Sequence, residues 1–138
     1  MADIMDWFEC KKFIRDVEPD PEKIDALKQT AELRLNYLKS QRVNKDNVSF
    51  IIEGYYEVIK ELLTALLLLN GLRSANHQCL ISFFYKNYPE YEAETYLISQ
   101  LCYLRNRLEY YGEAIDFGFY DKNKIELDHI IKILKELR

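Results

Sequence analysis

The stretch LRNRLEYYG, Leu104 to Gly112, holds the side chains of this chain best suited to chemistry. Arg105 carries a planar guanidinium that stays charged at physiological pH and can grip a phosphate with two parallel hydrogen bonds. Asn106 adds a neutral donor and acceptor beside it, and Tyr110 adds an aromatic ring with a hydroxyl tip. If the three line a cleft, they suit a phosphate or a nucleotide. The simpler reading of Arg105 is an ion pair with Glu109 one turn on, worth roughly 0.3 kcal/mol when exposed.

His77, one of two histidines, is the other candidate. Its ordinary pKa of ~6.5 suits proton transfer near neutrality. Placed after SAN at the start of a short helix, it equally suits a hydrogen bond to a helix end or a neighbouring loop. His129 is assigned no role. The Ser, His and acidic residues form no nucleophile arrangement, and neither a glycine-rich phosphate loop nor metal-ligand spacing occurs. No metal or cofactor is expected.

The element that must position Arg105 is a helix from about Tyr91 to Gly112, in which Leu97, Leu101, Leu104, Leu108 and Tyr111 repeat at helical spacing. At ~100° per residue the apolar face centres near Leu101 and Leu108, which puts Arg105 on its edge, half buried, with Asn106 further round. Tyr96, Tyr103 and Tyr110 recur at heptad spacing and form a second, aromatic face. Two adhesive faces call for two partners, the bundle itself and a second copy of the chain.

The rest of the chain reads as helices with clear stops. Residues 3–17 show a weak helical pattern that is equally compatible with a partly irregular segment. Asp20 as cap and Pro21 at the first position open a helix that ends near Ser40 and turns Ile24, Leu27, Ala31, Leu35 and Leu38 inward. The span from Asn47 to Asn70 is apolar on more than one side and reads as the central helix, closed by Gly71. Ser74 is placed to cap a short helix over 75–87, which Pro89 ends. A linker through DFGFYDKN leads to a last helix, Ile125 to Leu137. The expected fold is all-α: an up-and-down bundle of four main helices plus a short helix, forming a dimer.

Composition agrees. A chain of 138 residues fits one domain, with residues 1–18 as an N-terminal segment and 19–138 as the bundle. Only 4 Gly and 3 Pro leave few turns, so the elements are long. The net charge of −4 denies the chain the overall positive field of a sequence-independent nucleic-acid binder, so any RNA contact is local. Cys10, Cys79 and Cys102 are odd in number and widely spaced, which suits reduced, buried thiols rather than a disulfide framework or a zinc cluster. MADIMDWFECKK lacks the features of a signal peptide, and LLTALLLL falls short of the ~18 apolar residues of a membrane span. A soluble, cytoplasmic protein without membrane contact is expected.

Taken in order, GYYEVIKELLTALLLLNG, then SANHQCLISFF, then LRNRLEYYG resemble the HEPN superfamily (higher eukaryotes and prokaryotes nucleotide-binding domains), especially its small stand-alone members. The resemblance runs from about Pro21 to the C-terminus. It implies a four- or five-helix bundle, usually a homodimer with its site between protomers. Active members of the family are metal-independent endoribonucleases whose motif is Arg, about four to six residues, then His, commonly with a polar residue directly after the Arg. Arg105 matches the arginine and Asn106 the polar follower, but the histidine is absent, its permitted positions being held by Tyr110, Tyr111 and Gly112.

That departure bears on mechanism. In the family the RNA 2′-hydroxyl attacks the adjacent phosphate, which requires proton transfer near neutral pH. The ordinary pKa of tyrosine, ~10, lies about 3.5 units above that of histidine, a gap of roughly 5 kcal/mol. The resemblance therefore implies a dimer that binds a nucleotide, RNA or a partner protein with weak or no catalysis. Many small members of the family sit beside a minimal nucleotidyltransferase, as toxin with antitoxin or as substrate-binding subunit. The alternative is a metal-independent endoribonuclease using Arg105 with Tyr110 or His77 in place of the motif histidine. A plain dimeric scaffold, in which Arg105 serves only packing, is the third possibility.

Overall fold

A computed structural model describes residues 3–138. Among them are six α-helices: α1 (Trp7–Cys10), α2 (Pro21–Ser40), α3 (Val48–Leu69), α4 (His77–Asn87), α5 (Glu92–Tyr111) and α6 (Phe117–Glu136). Two three-residue strands, β1 (Ile14–Asp16) and β2 (Leu72–Ser74), pair antiparallel with Arg15 opposite Arg73. The fold is all-α apart from that short ladder.

Helix α3 is buried on nearly every side, from Val48 through Leu68. A helix that apolar must be covered all round. The covering is supplied by α2, α4, α5 and α6, all of which pack on it. Helix α2 opens as its sequence dictates: Asp20 accepts a hydrogen bond from the Lys23 amide at 3.2 Å, and Pro21 occupies the first turn. It buries Ile24, Ala31, Leu35 and Leu38, while Leu27 is only partly buried. Gly71 (φ 72°) and Gly112 (φ 63°) close α3 and α5 in the left-handed conformation that glycine adopts without a Cβ clash.

Four expectations are corrected. The cap of α4 is Asn76, whose side chain accepts from the Gln78 amide at 2.9 Å; Ser74 ends β2, and its hydroxyl accepts from the Asn76 amide at 3.1 Å. Helix α6 begins at Phe117 rather than Ile125, because Phe117, Phe119 and Tyr120 pack against the core and turn the supposed linker into a helical face. Residues 3–17 form no continuous helix: one turn of α1 passes through a 3₁₀ turn into β1. Four main helices and a short one are thus joined by a further single-turn helix.

The fourth correction concerns the cysteines. Cys10 and Cys79 form a disulfide across a sequence separation of 69, so they are not the reduced thiols expected. Only the fold brings them together; their spacing carries no sign of it. Cys102 is a free, buried thiol, as expected.

Candidate functional site

The first turn of α4 and the C-terminal half of α5 enclose a cleft of about 310 Å³. Ala75, Asn76, His77 and Gln78 form one wall, and Cys102, Arg105, Asn106 and Tyr110 the other. All four residues singled out from the sequence, Arg105, Asn106, Tyr110 and His77, therefore meet in one place.

Arg105 is the most constrained of them, with its side chain only 14% exposed. Its Nη2 lies 3.1 Å from Glu109 Oε1 and 3.5 Å from Glu57 Oε1, and its Nη1 donates to Asn106 Oδ1 at 3.2 Å. The helical pair with Glu109 is thus present, but α3 adds a second carboxylate through Glu57. Glu57 is itself bound by Lys60, 2.6 Å away. The result is a chain of alternating charges, Lys60, Glu57, Arg105 and Glu109, that reaches the cleft through Arg105.

Cys102 lines the cleft deep between the helices. Its Sγ accepts from the Tyr56 hydroxyl at 3.4 Å, from Gln78 Nε2 at 3.5 Å and from Asn106 Nδ2 at 3.8 Å. Burial pushes the thiol pKa up, so Cys102 stays protonated and joins three helices rather than acting as a nucleophile. Burial and then the neighbouring Cys102 push the Tyr56 hydroxyl up as well. Among the described residues, Gln78 Oε1 and Arg105 Nε are buried without a hydrogen-bond partner. Both belong to the cleft wall, which is therefore not fully hydrogen-bonded in this state.

His77 begins α4, with its ring 6.3 Å from that of Tyr56. Burial, and then the positive charges of Lys60 and Arg105, hold its pKa below the ordinary histidine value. Near neutrality it is an uncharged imidazole, able to accept a proton. Tyr110 differs in kind: it is 72% exposed and stands at the mouth of the cleft. Tyr96 and Tyr103 are also exposed on α5, so the aromatic face foreseen from the heptad spacing is unburied in the single chain. Tyr111, expected on the inward leucine face, is 71% exposed instead, because it lies in the last turn of α5 beyond the core.

The sequence reading missed Tyr56, Glu57, Lys60, Gln78 and Cys102. Glu57 and Lys60 lie at helical i, i+3 spacing, but nothing local ties them to Arg105. His129, given no role, lies with Glu94 and Glu126 so that one ligand-type atom from each falls within 4.8 Å of the others. The Glu126-x-x-His129 spacing on one helix face was the available signal for that group.

No helix among the described residues is long and apolar enough to cross a membrane. No family model, curated protein or solved structure matches the chain, so its functional reading rests on the chemistry of this cleft.

Proposed function

We propose that the chain is a HEPN-like domain that dimerises and uses the Arg105 cleft to bind a nucleotide, an RNA segment or a partner protein, with weak or no catalysis. The observation that carries this reading is that Arg105, Asn106, Tyr110 and His77 share one cleft with the N-terminal turn of α4. A helix N-terminus favours anions, and a guanidinium grips phosphate oxygens in a fixed fork. Glu57 and Glu109 already engage Arg105, so an incoming phosphate exchanges with a carboxylate and gains only moderate affinity. The exposed Tyr103, Tyr110 and Tyr111 support a second chain along α5. A minimal nucleotidyltransferase is the partner protein this reading favours, as in a toxin–antitoxin pair.

The test is a titration of fluorescein-labelled single-stranded RNA, and separately of adenosine monophosphate, into wild type and Arg105→Ala. Loss of at least about tenfold in affinity, or 1.4 kcal/mol, is expected in the variant. Equal affinities in two folded proteins would overturn the site. Sedimentation velocity checks the dimer, and copurification from native cells checks the nucleotidyltransferase.

One observation favours the alternative, a metal-independent endoribonuclease. His77 stands in the cleft of Arg105 with its pKa lowered, so a neutral imidazole is at hand to take the 2′-hydroxyl proton. Incubation with mixed RNA in excess EDTA distinguishes the readings. Fragments ending in 2′,3′-cyclic phosphate from wild type, absent with Arg105→Ala and His77→Ala, would establish the enzyme. No fragments from folded wild type would leave the binding domain.

A further inference from the structure

The disulfide between Cys10 and Cys79 ties the N-terminal arm, residues 3–16, to α4 immediately after His77 and Gln78, the two α4 residues that line the cleft. Apart from the bridge, the arm is held by short elements and partly buried contacts. Helix α1 is a single turn without a side-chain cap, β1 is three residues long, and Phe8 and Phe13 are exposed. Among the described residues of the arm, Cys10 is the one fully buried side chain. The remaining ties are partial: Ile4, Trp7 and Ile14 pack partly buried against the core, the Trp7 ring lies 5.8 Å from that of Phe83 with the Lys86 ammonium over it, the Met5 thioether lies against Cys79, and β1 pairs with β2. Short edge pairings and single ring contacts of this kind open locally with small free energies.

We propose that the Cys10–Cys79 bridge is a redox latch. Oxidised, it clamps the arm onto α4 and keeps the first turn of that helix in register with α5. Reduced, it frees the arm and loosens His77 and Gln78 in the cleft. Opening is thiol–disulfide exchange with a dithiol reductant: one reductant thiolate attacks a bridge sulfur and forms a mixed disulfide. The second reductant thiol then displaces the remaining protein sulfur. Two electrons and two protons pass to Cys10 and Cys79, and the reductant leaves as a cyclic disulfide. A low-molecular-weight disulfide drives the reverse. Both sulfurs are fully buried, so exchange requires the arm to open first, and local opening and reduction reinforce each other. The effect on the cleft rests on the proposed function; the latch itself does not.

Trp7 is the single tryptophan, so its emission reports the docking of the arm. Wild type and Cys10→Ser are compared with and without dithiothreitol by Trp7 emission, by trypsin cleavage at Lys11 and Lys12, and by affinity for fluorescein-labelled single-stranded RNA. Far-UV circular dichroism monitors the helices. In wild type, reduction is expected to red-shift the emission, speed cleavage at least tenfold and weaken RNA binding, with helical content retained. Cys10→Ser should show all three changes without reductant and respond to none. Unchanged emission and cleavage on reduction would overturn the latch. Collapse of the whole fold would overturn it too, because the bridge would then be a structural staple. Arm release with unchanged RNA affinity would overturn the coupling to the cleft. Absence of RNA binding in both redox states would fall on the proposed function, with emission and cleavage still deciding the latch.

Discussion

Arg105 lies against the ring face of Tyr56, its guanidinium carbon 5.6 Å from the ring centroid. The central helix thus supplies a platform under the cation and, through Glu57 in the next position, a carboxylate beside it. A cation over a shielded aromatic face gains about 1 kcal/mol, or roughly fivefold in an equilibrium. Tyr56→Phe keeps the face and loses only the hydroxyl bond to Cys102, so RNA affinity should stay near wild type. Tyr56→Leu removes the face and should weaken binding about fivefold. Titration of both variants checks this, and equal affinities would show that the ring does not orient Arg105.

The crossing of α2 over α3 depends on Gly54. A Cβ there would lie 2.5 Å from Leu38 Cδ2 and 3.0 Å from Cδ1, and Leu38 is a core residue. Gly54→Ala gains about 1 kcal/mol of helix propensity, whereas overpacking costs about 1–3 kcal/mol. The net effect should be a loss of about 1 kcal/mol in urea unfolding. Truncating the obstacle should relieve the clash, so Gly54→Ala with Leu38→Ala should cost less than the sum of the single changes. Strict additivity would mean that Leu38 has room to move aside.

The lowered pKa of His77 makes a signed prediction. The unfolded chain takes up a proton near pH ~6.5, before the folded protein does, so the stability contributed by keeping His77 neutral is complete above that value. It is lost as the pH falls toward the folded pKa. Unfolding free energy should therefore drop on acidification below about pH 6.5 more steeply in wild type than in His77→Gln. Anion binding runs the other way: a phosphate in the cleft raises the His77 pKa, so RNA affinity should increase as the pH falls, and the increase should vanish in His77→Gln. Parallel pH profiles for the two proteins would show that His77 does not face the ligand.

Features of this fold that arise from neighbours along the chain were readable before the structure. Asp20 and Pro21 start α2, Gly71 and Gly112 end α3 and α5, and the leucine spacing of α5 places Arg105, because capping, backbone conformation and helical period act within a turn or two. Arg105, Asn106 and Tyr110 share one helix, so their grouping was already present in their spacing. Features set across the chain were hidden. Glu57 and Tyr56 reach Arg105 only because α3 packs on α5, and Gln78 meets Cys102 only because α4 does. The aromatic residues at 117–120 look like a linker until the core they cover is in place. The Cys10–Cys79 pairing depends on an arm whose weak helical pattern yields one turn before the chain passes into β1.

The start of α6 is fixed by a hydrogen bond of this long-range kind. The Ile115 amide donates to Ser49 Oγ at 2.8 Å across 66 residues, and both residues are buried. The bond pins the segment after Gly112 to the first turn of α3 and aims the chain into α6. Ser49→Ala leaves that amide without an acceptor and without water, which should cost about 1–3 kcal/mol. A deletion that removed only a favourable contact would cost less, because the penalty here is the stranded donor. Hydrogen exchange separates the two cases. In wild type the Ile115 amide should be strongly protected; in Ser49→Ala it should exchange much faster while amides in the middle of α3 keep the protection set by global stability. Unchanged protection at Ile115 would mean that another acceptor takes over and that Ser49 does not anchor the connection.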